Sequence, residues 1–285
     1  MRAAAADQGP PVIATVPTAV ETALAKLDAW LDTMRGPLGY GGPVAHWWRD
    51  SLTYCGAGAD WRYEGIVAGY LTLFQVSGEQ RWLDKAIHAG DDVLGLQRPS
   101  GNFANSRFEQ NPGTAGTPHE AAADIALLLL ARTLRKQRDE RWSVYLQAAE
   151  KNLIGFYVKR LWNDQEQRFR DDASQPSFVP NKSATLIEAL CLWAEVGGSD
   201  EPIARYVRPT ADAILAHQVH AAGTRLDGAI AQNTLGSKRI GAYFPYYNAR
   251  CVPGLLRAGE ETGESRFIEA AGRALECVFR WQEGD

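Results

Sequence analysis

A ten-residue segment of this chain occurs twice. Ser77-Gly78-Glu79-Gln80-Arg81-Trp82-Leu83-Asp84-Lys85-Ala86 returns as Thr262-Gly263-Glu264-Ser265-Arg266-Phe267-Ile268-Glu269-Ala270-Ala271. A looser copy is Arg138-Asp139-Glu140-Arg141-Trp142, and a fainter one surrounds Gly198-Ser199-Asp200-Glu201-Pro202. The copies lie about 60 residues apart, and one further period back lands on the helical stretch 18–34. That spacing exceeds the common two-helix solenoid repeats of about 33–47 residues.

Each copy opens an amphipathic helix. In 266–281, Phe267, Ala271, Ala274, Leu275, Val278 and Phe279 form one stripe, with Glu269, Arg273, Glu276 and Arg280 elsewhere. The helix before each copy has another character. Residues 121–134 are apolar on nearly every side, and 63–76 and 183–196 are similar, which describes helices buried all round. Gly65, Gly69, Ala184 and Ala189 allow close approach. Alternation of the two kinds predicts an outer and an inner ring. The links from inner to outer helices are short. Those from outer to inner are long: 35–59, 98–117, 162–180 and 220–241. Loops well beyond about 12–15 residues inside a compact domain are usually functional, and these must all lie at one end. The prediction is an all-α fold, an (α/α) toroid or barrel of repeated helical hairpins with inner segments near 63–76, 121–134, 183–196 and 247–260. Five outer and four inner helices can be read, so the ring is open or incomplete, with an apolar flank that suits a homo-oligomer contact. One domain is expected over 18–285, after a flexible segment 1–17.

This layout resembles the (α/α) toroids of the six-hairpin glycosidase superfamily. The resemblance covers helix layout from about Thr18 to Trp281. It is carried by the Thr/Ser-Gly-Glu-x-Arg-aromatic openings and by Tyr246-Tyr247-Asn248-Ala249-Arg250 leading an inner helix. It implies a catalytic funnel at one mouth of the ring and a carbohydrate substrate. No complete catalytic signature of one family is present.

Composition narrows the alternatives. A net charge of −4 gives no electrostatic case for nucleic acid or an anionic membrane. No stretch reaches the roughly 18 apolar residues of a membrane span, and 1–17 lacks the apolar core of a secretion signal; a cytoplasmic location is expected. Cys55, Cys191, Cys251 and Cys277 are too scattered for a zinc site, so buried free thiols are expected, with no metal and no cofactor. His119-Glu120 lacks the second His of a zincin, and Gly-x-Gly-x-x-Gly, P-loop and Gly-x-Ser-x-Gly motifs are absent. The nine Trp, ten Tyr and nine Phe suit sugar rings or a large core.

The long loops feed the N-terminal turns of inner helices, so candidate chemistry is sought there. Asp60 and Glu64, and Glu120 and Asp124, are each spaced i,i+4 and share a helix face. Asp124 lies among alanines and leucines, where an unpaired carboxylate is costly to bury. Two such pairs facing each other would divide into one proton-holding acid and one ionised partner. Glu120 reads as the acid, or as a first-turn acid satisfying the helix dipole; Asp60, nearer the wet mouth, reads as base or nucleophile. Trp47, Trp48, Trp61, Arg62, Arg107, Tyr243, Tyr246, Asn248 and Arg250 are the substrate-binding candidates, because amide, Arg and aromatic groups suit hydroxylated sugars, including carboxylated ones. His88 and His217 read as surface residues of outer helices. The leading function is a glycoside hydrolase acting on an oligosaccharide. A polysaccharide lyase or uronate epimerase would instead use His119 or a tyrosine as base, with Asn248 and Arg250 neutralising a carboxylate. A non-catalytic scaffold binding a glycan or protein is the third reading.

Overall fold

The computed structural model describes residues 18–45, 52–55, 57–104, 120–171, 173, 177–197, 199–235 and 238–282, with backbone alone at 42–45, 52–55, 235, 238 and 239. The segment 1–17 lies outside the described residues. The helices are α1 (Thr18–Met34), α2 (Trp61–Ser77), α3 (Gln80–Gly95), α4 (Ala121–Lys136), α5 (Trp142–Asn152), α6 (Lys159–Leu161), α7 (Pro180–Val196), α8 (Arg208–Leu215), α9 (Pro245–Thr262) and α10 (Ser265–Trp281). The expected inner segments fall within α2, α4, α7 and α9.

Local chemistry sets the helix ends. Asp60 caps α2 by accepting the Arg62 amide, and Gly78 ends it at φ 70°, donating its N–H to the Phe74 carbonyl at 2.8 Å. Pro180 and Pro245 open α7 and α9, where a missing N–H costs nothing. The outer layer departs from plain α-helix twice. α5 runs through a π-helical stretch, Leu153–Val158, into α6, and Ile203–Val207 is a π-helical turn before α8. The wider turn brings Asn152 and Tyr157, five residues apart, to one inward face, and both are fully buried.

Packing follows the repeat. The hairpins α2–α3, α4–α5, α7–α8 and α9–α10 each pack internally, and the inner helices form a row in which α2 meets α4, α4 meets α7, and α7 meets α9. Within the row α4 and α7 are buried on nearly every side. α2 departs from the expectation: Trp61, Gly65, Gly69, Thr72 and Val76 form an exposed stripe, because α2 ends the row and has a neighbour on one side only. The outer helices at the two ends also carry uncovered apolar residues, Val20, Leu24, Leu27 and Trp30 on α1 and Ile268, Leu275 and Phe279 on α10. The described residues thus form an open ring with apolar flanks.

The long links are joined in pairs. The Ala59 amide donates to the Ala104 carbonyl at 3.0 Å, joining the first link to the second. Phe178 and Thr234 exchange two hydrogen bonds, of 3.0 and 2.9 Å, joining the third to the fourth. Short antiparallel pairs, such as Trp162–Asn163 with Arg168–Phe169, stiffen these links. Cys191, Cys251 and Cys277 are buried free thiols. Among the described residues no helix is long and apolar enough to cross a membrane.

The backbones of α7 and α9 approach closely: a Cβ at Gly254 would overlap the Ala184 carbonyl, while one at Gly69 would meet open space. Gly254→Ala should therefore destabilise the fold by about 1–3 kcal/mol. Gly69→Ala should be neutral or stabilising by up to about 1 kcal/mol. Thermal melts of the two variants check this; equal melting points would show that the α7–α9 spacing is not set at Gly254.

Candidate functional site

Below the long links, α2, α7 and α9 direct polar side chains into the space that the inner row encloses. Arg250, in the second turn of α9, donates from Nη1 and Nη2 to the two carboxylate oxygens of Glu64 on α2, at 2.9 and 3.0 Å. Its Nε donates to Thr185 Oγ1 on α7 at 2.9 Å, and Nη2 stands 3.6 Å from Glu188 Oε2 one turn further along α7. Since α2 and α9 end the row on opposite sides, the Arg250–Glu64 pair crosses the lumen. Seven residues beyond Glu188 on the same face, Glu195 is held by Arg132 of α4 at 3.2 Å and Arg257 of α9 at 2.6 Å.

The two glutamates of α7 show what their partners do. Burial works to raise the Glu195 carboxyl, but the hydrogen bonds and charges of Arg257 and Arg132 outweigh it and hold the group low. Burial pushes Glu188 up, Arg250 opposes, Glu64 adds to the rise, and no hydrogen bond brings Glu188 down. Glu64 is also raised by burial, against the pull of its two-handed contact with Arg250. Thr185, Glu188 and Glu195 were not singled out from the sequence. A signal was present, since Glu188 is the one charged residue in the apolar run 184–194.

The four acids named from the sequence do not face one another as expected. Asp60 is not at a wet mouth. Its side chain is 1% exposed, and both carboxylate oxygens receive the Arg62 guanidinium at 2.6–3.1 Å. Asp60 thus serves as the α2 cap and as the partner of Arg62. Asp124 is fully buried and turned toward the outer layer, where Asn152 Nδ2 of α5 donates to its Oδ2 at 2.7 Å. Glu120, buried just before α4, lies within electrostatic reach of Asp124 and of Tyr157 from the π-helical stretch. This polar packet sits behind α4, not across the lumen from Asp60 and Glu64.

Of the binding candidates, Arg250 is central to the lumen and Arg62 is joined to Asp60. Trp61 and Tyr246 are exposed near the helix starts, 45% and 62%. Tyr246 and Phe244 each make edge contacts with Tyr247, and Tyr243 is half-buried. Asn248 is corrected: its buried amide clamps the fourth link, accepting from the Ile230 N–H at 2.6 Å and donating to the Ile230 and Phe244 carbonyls at 3.2 and 3.0 Å. Trp47, Trp48, Arg107 and His119 lie outside the described residues. His88 is exposed as expected, whereas His217 is buried against Phe178, its Nδ1 2.7 Å from the Ala213 carbonyl. Among the described residues no three His, Cys, Asp or Glu side chains gather as a metal site requires.

Solved structures share this architecture. D-mannose isomerase superimposes with a TM-score of 0.64 at 12% identity, over 96% of this chain and 72% of that one. The unsaturated glucuronyl hydrolase of a Bacillus species, responsible for glycosaminoglycan degradation, gives 0.63 at 14% identity, over 92% and 66%. Cellobiose 2-epimerase from Bacillus thermoamylovorans gives 0.59 at 13% identity, over 79% and 61%. The fold is the (α/α) toroid that these structures share. Neither a protein-family model nor a curated protein matches the sequence. This chain spans 61–72% of the length of those three toroid proteins.

The buried acid behind α4 gives the toroid a signed pH dependence. Burial pushes the Asp124 carboxyl well above the usual range, Asn152 opposes, and the charge of Glu120 adds to the rise. The folded chain then holds a proton that the unfolded chain releases. Stability from this group is complete below about pH 4 and is lost as pH rises toward the folded value. Asp124→Asn keeps the shape in a permanently neutral form, so the variant should gain on the parent between about pH 4 and 8. Denaturant midpoints across that range test it; a constant offset between the two proteins would mean Asp124 is ionised when folded.

Proposed function

We propose that this chain is a carbohydrate-active enzyme, specifically a glycoside hydrolase with its sugar site at the long-link mouth of the toroid. The observation that carries the reading is the pair of carboxylates, Glu64 and Glu188, that share the Arg250 guanidinium at 2.9 and 3.6 Å. Glycoside hydrolysis needs a carboxylic acid to protonate the leaving oxygen and a carboxylate to act on the opposite side. Two glutamates in unequal contact with one arginine can divide those roles. Exposed Trp61 and Tyr246 offer apolar faces on which sugar rings stack. The toroid neighbours act on sugars according to their names, which supports a sugar substrate.

The lyase or epimerase reading needs Asn and Arg groups available to neutralise a substrate carboxylate. Asn248 is bonded to backbone and Arg250 to Glu64, so neither side chain is presented unpaired for that role. The hydrolase reading is therefore favoured.

The test is direct. Incubation with neutral and uronate-containing oligosaccharides should raise reducing ends without creating or consuming an alkene chromophore. Appearance of the alkene would mean a lyase, and its consumption an unsaturated-uronate hydrolase. Conversion between sugar isomers at constant reducing ends would mean an isomerase or epimerase. No change with any sugar would remove the enzyme reading and leave a binding scaffold.

A further inference from the structure

We infer that Glu188 is the proton donor of the lumen and Glu64 its ionised counterpart, an assignment that rests on the glycosidase reading above. The geometry separates the two acids. Glu64 receives two charge-assisted hydrogen bonds from Arg250, and such bonds hold a carboxylate in its charged form. Among the described residues no side chain donates such a bond to Glu188. Its Oε2 is buried without a hydrogen-bond partner, 3.6 Å from Arg250, while 18% of the side chain remains open.

One guanidinium cannot neutralise two buried carboxylates, so the first proton taken up by this group goes to the acid with the poorer contact. Glu195 is the internal comparison. It lies on the same face of the same helix, is more open (32% of its side chain against 18%), and is hydrogen-bonded by two arginines. The face therefore carries one glutamate locked as an anion and one left able to keep a proton. Thr185, one turn nearer the mouth, fixes the Arg250 guanidinium through Nε and so holds the unequal sharing in place.

The chemical step balances with these groups and water. The Glu188 O–H gives its proton to the glycosidic oxygen as the bond from that oxygen to the anomeric carbon breaks, and the bonding pair stays on the departing oxygen. Glu64 accepts a proton from a water molecule whose oxygen bonds to the anomeric carbon. Glycoside and water become two hydroxyl products, and the two glutamates, having exchanged protonation states, reset through solvent.

The experiment uses two variants and two kinds of substrate. Glu188→Gln has the shape of the protonated acid, so folding should be retained. With the panel oligosaccharide that the parent hydrolyses best, its kcat should fall by roughly 10²–10⁴ with little change in KM, and the alkaline limb of the pH profile should disappear. With the glycosyl fluoride of the same sugar, whose leaving group needs no proton, the rate should return to within about tenfold of the parent. Glu64→Gln should be slow with both substrates. Equal loss of Glu188→Gln activity on both, or no loss on either, overturns the assignment. If the parent hydrolyses no sugar, the glycosidase reading itself has failed. The protonation claim is then read separately from stability. Because a proton held by folded Glu188 is released on unfolding, Glu188→Gln should gain on the parent as pH rises from about 5 to 8. A constant difference over that range overturns the claim.

Discussion

Gly254 lets α9 settle against the Ala184 carbonyl of α7, and the lumen is arranged around that contact. Arg250 lies one turn before Gly254; Thr185 and Glu188 follow Ala184 directly and one turn on. With the backbones this close, the guanidinium reaches the α7 hydroxyl and still extends to α2. A side chain at Gly254 would push the helices apart, and the Nε–Thr185 and Nη–Glu64 bonds could not form together. Packing and electrostatics are thus joined at one glycine.

The inner helices also explain why the charges are few and paired. A row of helices buried against an outer layer has no water on its covered faces, so an ionised group there must find a partner or take up a proton. Both outcomes occur. Glu195, at the more open end of α7, has two arginines and is held as an anion, whereas buried Asp124, supported among the described residues by the Asn152 amide, is pushed toward its neutral form. Arg132, Glu195 and Arg257 link α4, α7 and α9 through partly exposed ion pairs. Glu188 stands between the two extremes, beside a shared arginine and partly open to the lumen. That intermediate environment suits a group that must hold a proton and later release it.

Much of the architecture was legible because it rests on periodic signals. The Ser/Thr-Gly-Glu openings marked where hairpins turn, and the glycines after α2 and α9 do take the left-handed conformation that ends a helix. The contrast between the run 121–134 and the stripe in 266–281 separated inner from outer helices. Loop length alone pointed to one end for the four long links, and the Ala59–Ala104 and Phe178–Thr234 bonds join them in two pairs. The acids were less legible. Spacing of i,i+4 put Glu120 and Asp124 on one face of α4 but could not say which face. A helix apolar on nearly all sides gives no rotational phase, and the neighbour that decided it, Asn152, lies on a helix bent inward by a π turn that no pattern announced.

The sequence by itself determined the two helical layers, their order and the end at which they open, because helix caps and apolar periodicity are properties of neighbouring residues. Only the tertiary structure decided which carboxylates share a cation. Glu64 and Arg250 are 186 residues apart, and their meeting depends on the curvature of the whole inner row. It also decided that Asn248 holds a link, that Asp60 holds Arg62, and that Glu188 faces the lumen with only a share of Arg250. Whether a buried acid becomes an anion or keeps its proton depends on the distance to the nearest guanidinium, and that distance is fixed when distant helices pack.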